Sequence, residues 1–146
     1  MLFSNAPALY CRLYKVKGKN PETGRQKTAE VVAASNEKEK DFVIRSGLLS
    51  PFEVSPGERE ITEGQREAAK KYKVKFPKDA SLADASLLLS RRIDQKGPSG
   101  PVPKKAILFA VQNGVFIPKY ANAAEAEEIL VDSLPKLKAE IKKLFK

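Results

Sequence analysis

Five lysines and two aromatic residues are interleaved between residues 70 and 78, KKYKVKFPK. Ammonium groups neutralise phosphates and aromatic rings stack on nucleobases, so this combination is typical of a nucleic-acid contact. The residues assigned to this candidate site are Lys70, Lys71, Tyr72, Lys73, Lys75, Phe76 and Lys78. The alternative interpretation is a solvated turn with Phe76 in the core.

A second basic segment flanks the turn of a predicted β-hairpin, and it contains Lys17, Lys19, Arg25 and Lys27. We treat it as a second candidate tip for phosphate contacts. The net charge of +9 favours polyanionic partners. The positive charge is spread evenly along the chain, however, and a generic solubilising surface explains an even spread almost as well.

The residue types required for common catalytic sites are missing from this sequence. Histidine is absent and Cys11 is the single cysteine, which excludes Ser-His-Asp and Cys-His pairs and the usual zinc ligand sets. There is no P-loop, no G-x-G-x-x-G and no D-x-D-x-D-G loop. We therefore predict a non-enzymatic protein with no catalytic residues, no bound metal and no cofactor.

No run of apolar residues reaches the roughly 18 to 20 that a membrane span requires. The first residues, MLFSNAPALYCRLYK, have no basic segment before a short apolar run, which is unlike a signal peptide. We expect a cytoplasmic protein without an integral membrane segment.

Residues 69–89 are similar to residues 110–130, without a gap, at an offset of 41. Identical residues recur 41 positions after Ala69, Val74, Pro77, Lys78, Ala80, Ala83 and Ala85. Each copy predicts a helix, an extended turn of the form V-x-[FI]-P and a capped second helix. We interpret them as two related helical hairpins. Chance similarity between two alanine- and lysine-rich segments is the alternative.

The first 57 residues predict a ββαβ unit. Residues 9–17 and 27–34 are rich in strand formers and flank a turn, which indicates a β-hairpin whose buried face the pattern leaves open. Ser35 or Asn36 is the predicted N-cap of a short helix, with Glu39 in capping-box position and Gly47 ending it. A third strand follows at residues 52–54.

The remainder of the chain is predicted to be helical, which makes the fold class α+β. We divide it into a first hairpin (58–94), a Pro/Gly linker (95–104), and a second hairpin with a terminal basic amphipathic helix (105–146). Capping boxes begin three helices, at Thr62–Gln65, Ser81–Asp84 and Asn122–Glu125. Arg91 and Arg92 end a helix, where cations suit the helix dipole and no ligand is needed to explain them.

Two parts of the chain resemble known families. The first likeness is carried by six short motifs: Tyr14-Lys15, Gly18, Gly24, Val31-x-Ala33-x-Ser35, Gly47-Leu48 and Pro51-Phe52-Glu53-Val54. In these motifs residues 10–54 resemble the small cytoplasmic domain that opens the inner-membrane F/C proteins of type II secretion and type IV pilus systems. The resemblance implies a small α+β shape and a protein-docking role.

The second likeness is carried by Thr62, Gln65, Ala69, Val74, Pro77 and the Leu88-Leu89 pair. Here residues 62–93 resemble the SAP-type helical-hairpin modules of DNA-processing proteins, which implies DNA binding. Such modules usually have a glycine and a basic residue before the second helix, where this chain has Asp79, Ala80 and Ser81.

These observations leave two functional hypotheses. The first is a protein that contacts nucleic acid, DNA or RNA, through the basic hairpin turn. The second is a protein-docking adapter or small inhibitor, of the kind that a phage can encode, whose partner-binding residues are Phe109, Phe116 and Ile117. Exposure of these three side chains would favour the second hypothesis. The terminal basic helix either packs on its own domain or docks on a partner or an anionic membrane.

Overall fold

The computed structural model describes residues 9–95 and 99–146, and it shows an α+β protein. Its three strands are β1 (Cys11–Lys19), β2 (Gln26–Ala34) and β3 (Leu49–Pro56). They form one antiparallel sheet in the order β2-β1-β3. The short helix α1 (Glu39–Phe42) and a 3₁₀ turn (Val43–Ser46) connect β2 to β3, which is the predicted ββαβ order.

Five further helices follow the sheet. They are α2 (Glu63–Tyr72), α3 (Leu82–Ile93), α4 (Lys104–Gln112), α5 (Ala123–Ser133) and α6 (Lys138–Leu144). Helices α2 and α3 form the first hairpin, and α4 and α5 form the second. Residues 96–98 of the predicted linker lie outside the described residues, whereas Val102 is buried in the core. Among the helices that the structure describes, none is long and apolar enough to cross a membrane.

Each face of the sheet carries a cluster of buried residues, which answers the question that the strand pattern left open. Because successive side chains alternate between faces, Cys11 lies on the face that packs against the second hairpin, and Val16 lies on the face that packs against α1. On the latter face the rings of Tyr14 and Phe42 stack with centroids 4.5 Å apart. Burial raises the pKa of the Cys11 thiol to about 11, so this thiol is held protonated and inert.

The second hairpin supplies the largest part of the core. Ile107, Ile117 and Leu130 are fully buried there, together with Ile141 from α6. The lysines of α6 are exposed, and its apolar side is turned towards α4 and α5. The terminal helix therefore packs on its own domain.

The predicted N-cap of α1 is wrong. The helix begins after Lys38, which makes no side-chain cap, because the nearby polar groups have other partners. Ser35 Oγ accepts the amide N–H of Tyr10 at 3.2 Å. The carboxylate of Glu37 accepts from the guanidinium of Arg45, which lowers the Glu37 pKa. The end of this segment is as predicted, with Gly47 at φ 73°.

The two hairpins have equivalent backbone hydrogen bonds at the offset of 41 residues. In the first, Val74 N–H donates to the carbonyl of Ala69 at 2.8 Å; in the second, Val115 N–H donates to that of Ala110 at 2.9 Å. Each bond closes the end of the first helix and starts the extended turn. The second helix of each hairpin then begins with a complete capping box. The hairpins therefore share one local conformation over this stretch.

Candidate nucleic-acid interface

The basic turn, residues 70–78, joins the last turn of α2 to the segment before α3. The side chains of its five lysines, at positions 70, 71, 73, 75 and 78, are all exposed. Within the described part of the chain, none of them forms an ion pair with an acidic side chain. The structure therefore presents these charges to solvent, where they are available to an anionic partner.

The backbone at Lys73 has the left-handed conformation, with φ 56° and ψ 47°. The equivalent position in the second hairpin is Gly114, with φ 68°. Left-handed backbone costs an L-residue with a Cβ roughly 1 to 2 kcal/mol, while glycine adopts it freely. The first hairpin thus has a lysine at a position where the local fold favours glycine.

The extended part of the turn alternates between exposed and half-buried side chains. Lys73 and Lys75 are exposed, while Val74 and Phe76 are half-buried. In the second hairpin the counterpart of Phe76 is Ile117, which is only 1% exposed. The hairpin geometry therefore directs the apolar residues towards the protein and the lysines towards solvent.

The ring of Tyr72 is half-buried at the end of α2. The ammonium group of Lys71 lies 5.4 Å from the centroid of this ring, within the range of a cation–π contact. The Tyr72 ring thus already has an electrostatic partner in the protein.

The carboxylate that follows the basic turn is engaged by the second hairpin. Asp79 accepts hydrogen bonds from Lys119 Nζ at 2.6 Å and from the Tyr120 hydroxyl at 2.5 Å. The bond from Lys119, followed by that from Tyr120, lowers the pKa of Asp79. Burial, with a smaller effect of Asp79, raises the pKa of Tyr120 to about 12. The Asp79 carboxylate beside Lys78 is therefore already hydrogen-bonded to the second hairpin.

Arg91 connects the two hairpins. Its guanidinium donates to both carboxylate oxygens of Glu125, at 2.5 and 2.8 Å, and to the carbonyl of Tyr120 at 2.5 Å. Glu125 is 5% exposed, and Asp84, which is 1% exposed, accepts the amide N–H of Tyr120 at 2.9 Å. Arg91 thus has partners within the protein that the helix dipole alone did not predict. Sequence reasoning missed this contact because the two charges are 34 residues apart.

A cavity of about 240 Å³ lies next to the basic turn. Asp79 and Lys119 line it together with Arg12, Glu58 and Arg59. Arg12 and Glu58 form an ion pair with N–O distance 3.0 Å, so both signs of charge in this cavity are largely matched. In residues 9–95 and 99–146 no cluster of three or more acidic or cysteine side chains that would hold a metal ion is found.

The second candidate tip lies elsewhere on the molecule. Lys17, Lys19, Arg25 and Lys27 are all exposed at one end of the β1–β2 hairpin. Arg12, which lines the cavity beside Asp79, is near the other end of β1. The seven residue-to-residue steps from Arg12 to Lys19 span about 23 Å of extended strand. The structure therefore does not bring the two basic segments together.

The three predicted partner-binding residues have different environments. Ile117 is buried in the core with Ile107 and Leu130, so it is not available to a partner. Phe109 and Phe116 are half-buried and pack against the same core. They do not form an exposed apolar surface with Ile117.

Comparison with known proteins found no matching family model, no similar curated protein and no similar solved structure. The resemblances to secretion-system and SAP-type domains therefore stay predictions.

Proposed function

We propose that this protein binds nucleic acid through the basic turn, with Lys70, Lys71, Lys73, Lys75 and Lys78 on phosphates. The observation that carries the proposal is Lys73 in left-handed backbone where the second hairpin has Gly114. Lys73 lowers the stability of the protein at this position, and this cost is explained if its charge contributes to ligand binding. Residues in such conformations cluster at functional sites, because the strain is tolerated where a side chain has a task.

The electrostatics of the turn support the same function. Each exposed lysine that neutralises a phosphate releases a condensed counterion, which favours binding at low salt. The adjacent carboxylate of Asp79 is occupied by Lys119 and Tyr120, so it opposes an incoming phosphate less than a free carboxylate would. The second hairpin lacks this charge cluster: Val111, Gln112, Gly114 and Phe116 stand where the first hairpin has Lys70, Lys71, Lys73 and Lys75. Of the two turns, the first is therefore the one that carries a cluster of exposed cations.

The direct test is a fluorescence-anisotropy titration with labelled single- and double-stranded oligonucleotides. We expect binding in the micromolar range or tighter at roughly 50 mM salt, weakening by one or more orders of magnitude at roughly 200 mM, since about five phosphate contacts are involved. An absence of binding at the lower salt concentration would contradict the proposed function. The positive charge would then be explained as a solubilising surface.

Replacing Lys73 with glycine is expected to change stability and binding in opposite directions. The substitution relieves the left-handed strain, so the free energy of unfolding should rise by about 0.5 to 1 kcal/mol. Loss of one phosphate contact should weaken nucleic-acid binding several-fold. Urea unfolding and anisotropy measure the two effects on one protein sample. Unchanged binding together with higher stability would mean that Lys73 is not used.

The reverse substitution, Gly114→Lys, is the matched control for backbone strain. No atom lies within 4 Å of a Cβ built at Gly114, so the positive φ is the main cost. We expect a loss of about 1 kcal/mol in the free energy of unfolding. Comparable stability changes of opposite sign at positions 73 and 114 would show that the two turns impose the same conformation.

We also propose that the hairpins are two copies of one ancestral unit. The shared hydrogen bonds and capping boxes at one constant offset support this interpretation. On this view the copies have diverged in their turns. One turn exposes its lysines, and the other contributes Val115 and Ile117 to the core.

A further inference from the structure

We infer that the basic turn recognises the phosphate chain of its ligand and takes no part in base stacking. This inference rests on the proposed function and specifies its ligand class, a polymer with closely spaced phosphodiester groups, whatever its bases. Contacts to phosphates fix position without reading sequence. Affinity is therefore expected to depend on the number of phosphates and on salt, and to be nearly independent of base identity.

The position of Phe76 is the first reason. Lys75 before it is exposed, whereas Phe76 and Pro77 are both half-buried. Its counterpart, Ile117, is a core residue. Because Lys73 and Lys75 alternate with Val74 and Phe76, a phosphate chain bound by these two lysines would lie on the opposite side of the segment from the Phe76 ring.

The environment of Tyr72 is the second reason. The ring is half-buried, and the Lys71 ammonium lies 5.4 Å from its centroid. A stacked base would compete for the ring with this ammonium, which is itself one of the proposed phosphate contacts. The ring is better explained as a support that positions Lys71.

The test compares two single strands of equal length, oligothymidine and a fully abasic strand of the same phosphate number. For the wild-type protein at low salt, the two dissociation constants should agree within about threefold, because stacking of even one base would contribute roughly 5- to 150-fold. Inorganic polyphosphate should displace both strands. A loss of tenfold or more for the abasic strand would overturn the inference.

A conservative variant gives a second, independent readout. Phe76→Leu keeps an apolar side chain but removes the aromatic face, and we expect less than a threefold change in oligothymidine affinity, below the range of base–aromatic stacking. Thermal unfolding of the variant confirms that the comparison is made on folded protein.

If neither strand binds the wild-type protein at low salt, the proposed function itself fails. If only the base-bearing strand binds, the function stands and the inference fails.

Discussion

Replacing Arg91 with alanine is expected to lower the free energy of unfolding by about 3 kcal/mol, roughly 10 °C in melting temperature for a chain of this size. The side chain is 27% exposed and its partner, Glu125, is 5% exposed. Removing the guanidinium leaves a buried carboxylate without its counter-ion and the Tyr120 carbonyl without its donor. The loss of one buried partner is among the most destabilising changes in proteins.

The chain offers a matched control for this substitution in the next residue. Arg92 is exposed on the same helix, and Arg92→Ala should change the free energy of unfolding by less than about 0.5 kcal/mol.

The double variant Arg91→Met, Glu125→Gln should be more stable than Arg91→Met alone. Glutamine keeps the capping-box acceptor for Asn122 while removing the unpaired charge. The free energies of unfolding of Arg91→Met, Glu125→Gln and the double variant are compared by urea unfolding. If the loss in the double variant equals the sum of the two single losses, the buried ion pair is contradicted.

Replacing Lys70, Lys71 and Lys75 together with glutamine is expected to weaken nucleic-acid binding by about 100-fold at roughly 0.1 M salt. Each phosphate contact contributes close to one unit to the slope of log K against log salt, so the slope should become shallower by about 2 to 3 units. The three side chains are exposed and form no ion pair within residues 9–95 and 99–146, so stability should hardly change. Anisotropy titrations over a range of salt give affinity and slope together.

The control for net charge is a triple substitution in the C-terminal segment, on α6 and the turn before it. Lys136, Lys138 and Lys143 are exposed, and their replacement by glutamine removes the same three charges from the total of +9. If the basic turn is the site, this variant should lose only a few-fold in affinity through the general field of the protein. Equal losses in the two triple variants would indicate non-specific attraction rather than a site at residues 70–78.

Local sequence was sufficient to predict the helix starts after Thr62, Ser81 and Asn122. All three capping boxes are confirmed, because each is complete within four residues and needs no distant partner. The same reasoning failed at α1. There Ser35 accepts a hydrogen bond from Tyr10, 25 residues away, so tertiary structure and not local pattern decides its role.

The sheet and the interface between the hairpins depend on distant partners in the same way. The strand pattern of β1 is apolar on both sides, and the coverage of both faces is visible only once α1 and the second hairpin are in place. The partner of Arg91 is likewise fixed by how the hairpins pack. Composition suggested that Lys73 and Lys75 are exposed. It did not predict the left-handed backbone conformation of Lys73.

The most direct measurement of the central claim is an NMR titration of isotope-labelled protein with a short oligonucleotide at low salt. The account predicts that the largest backbone amide shift changes fall at residues 70–78, with small changes at residues 17–27 and 136–146. Largest changes at the β1–β2 tip or on α6, with residues 70–78 unaffected, would contradict it.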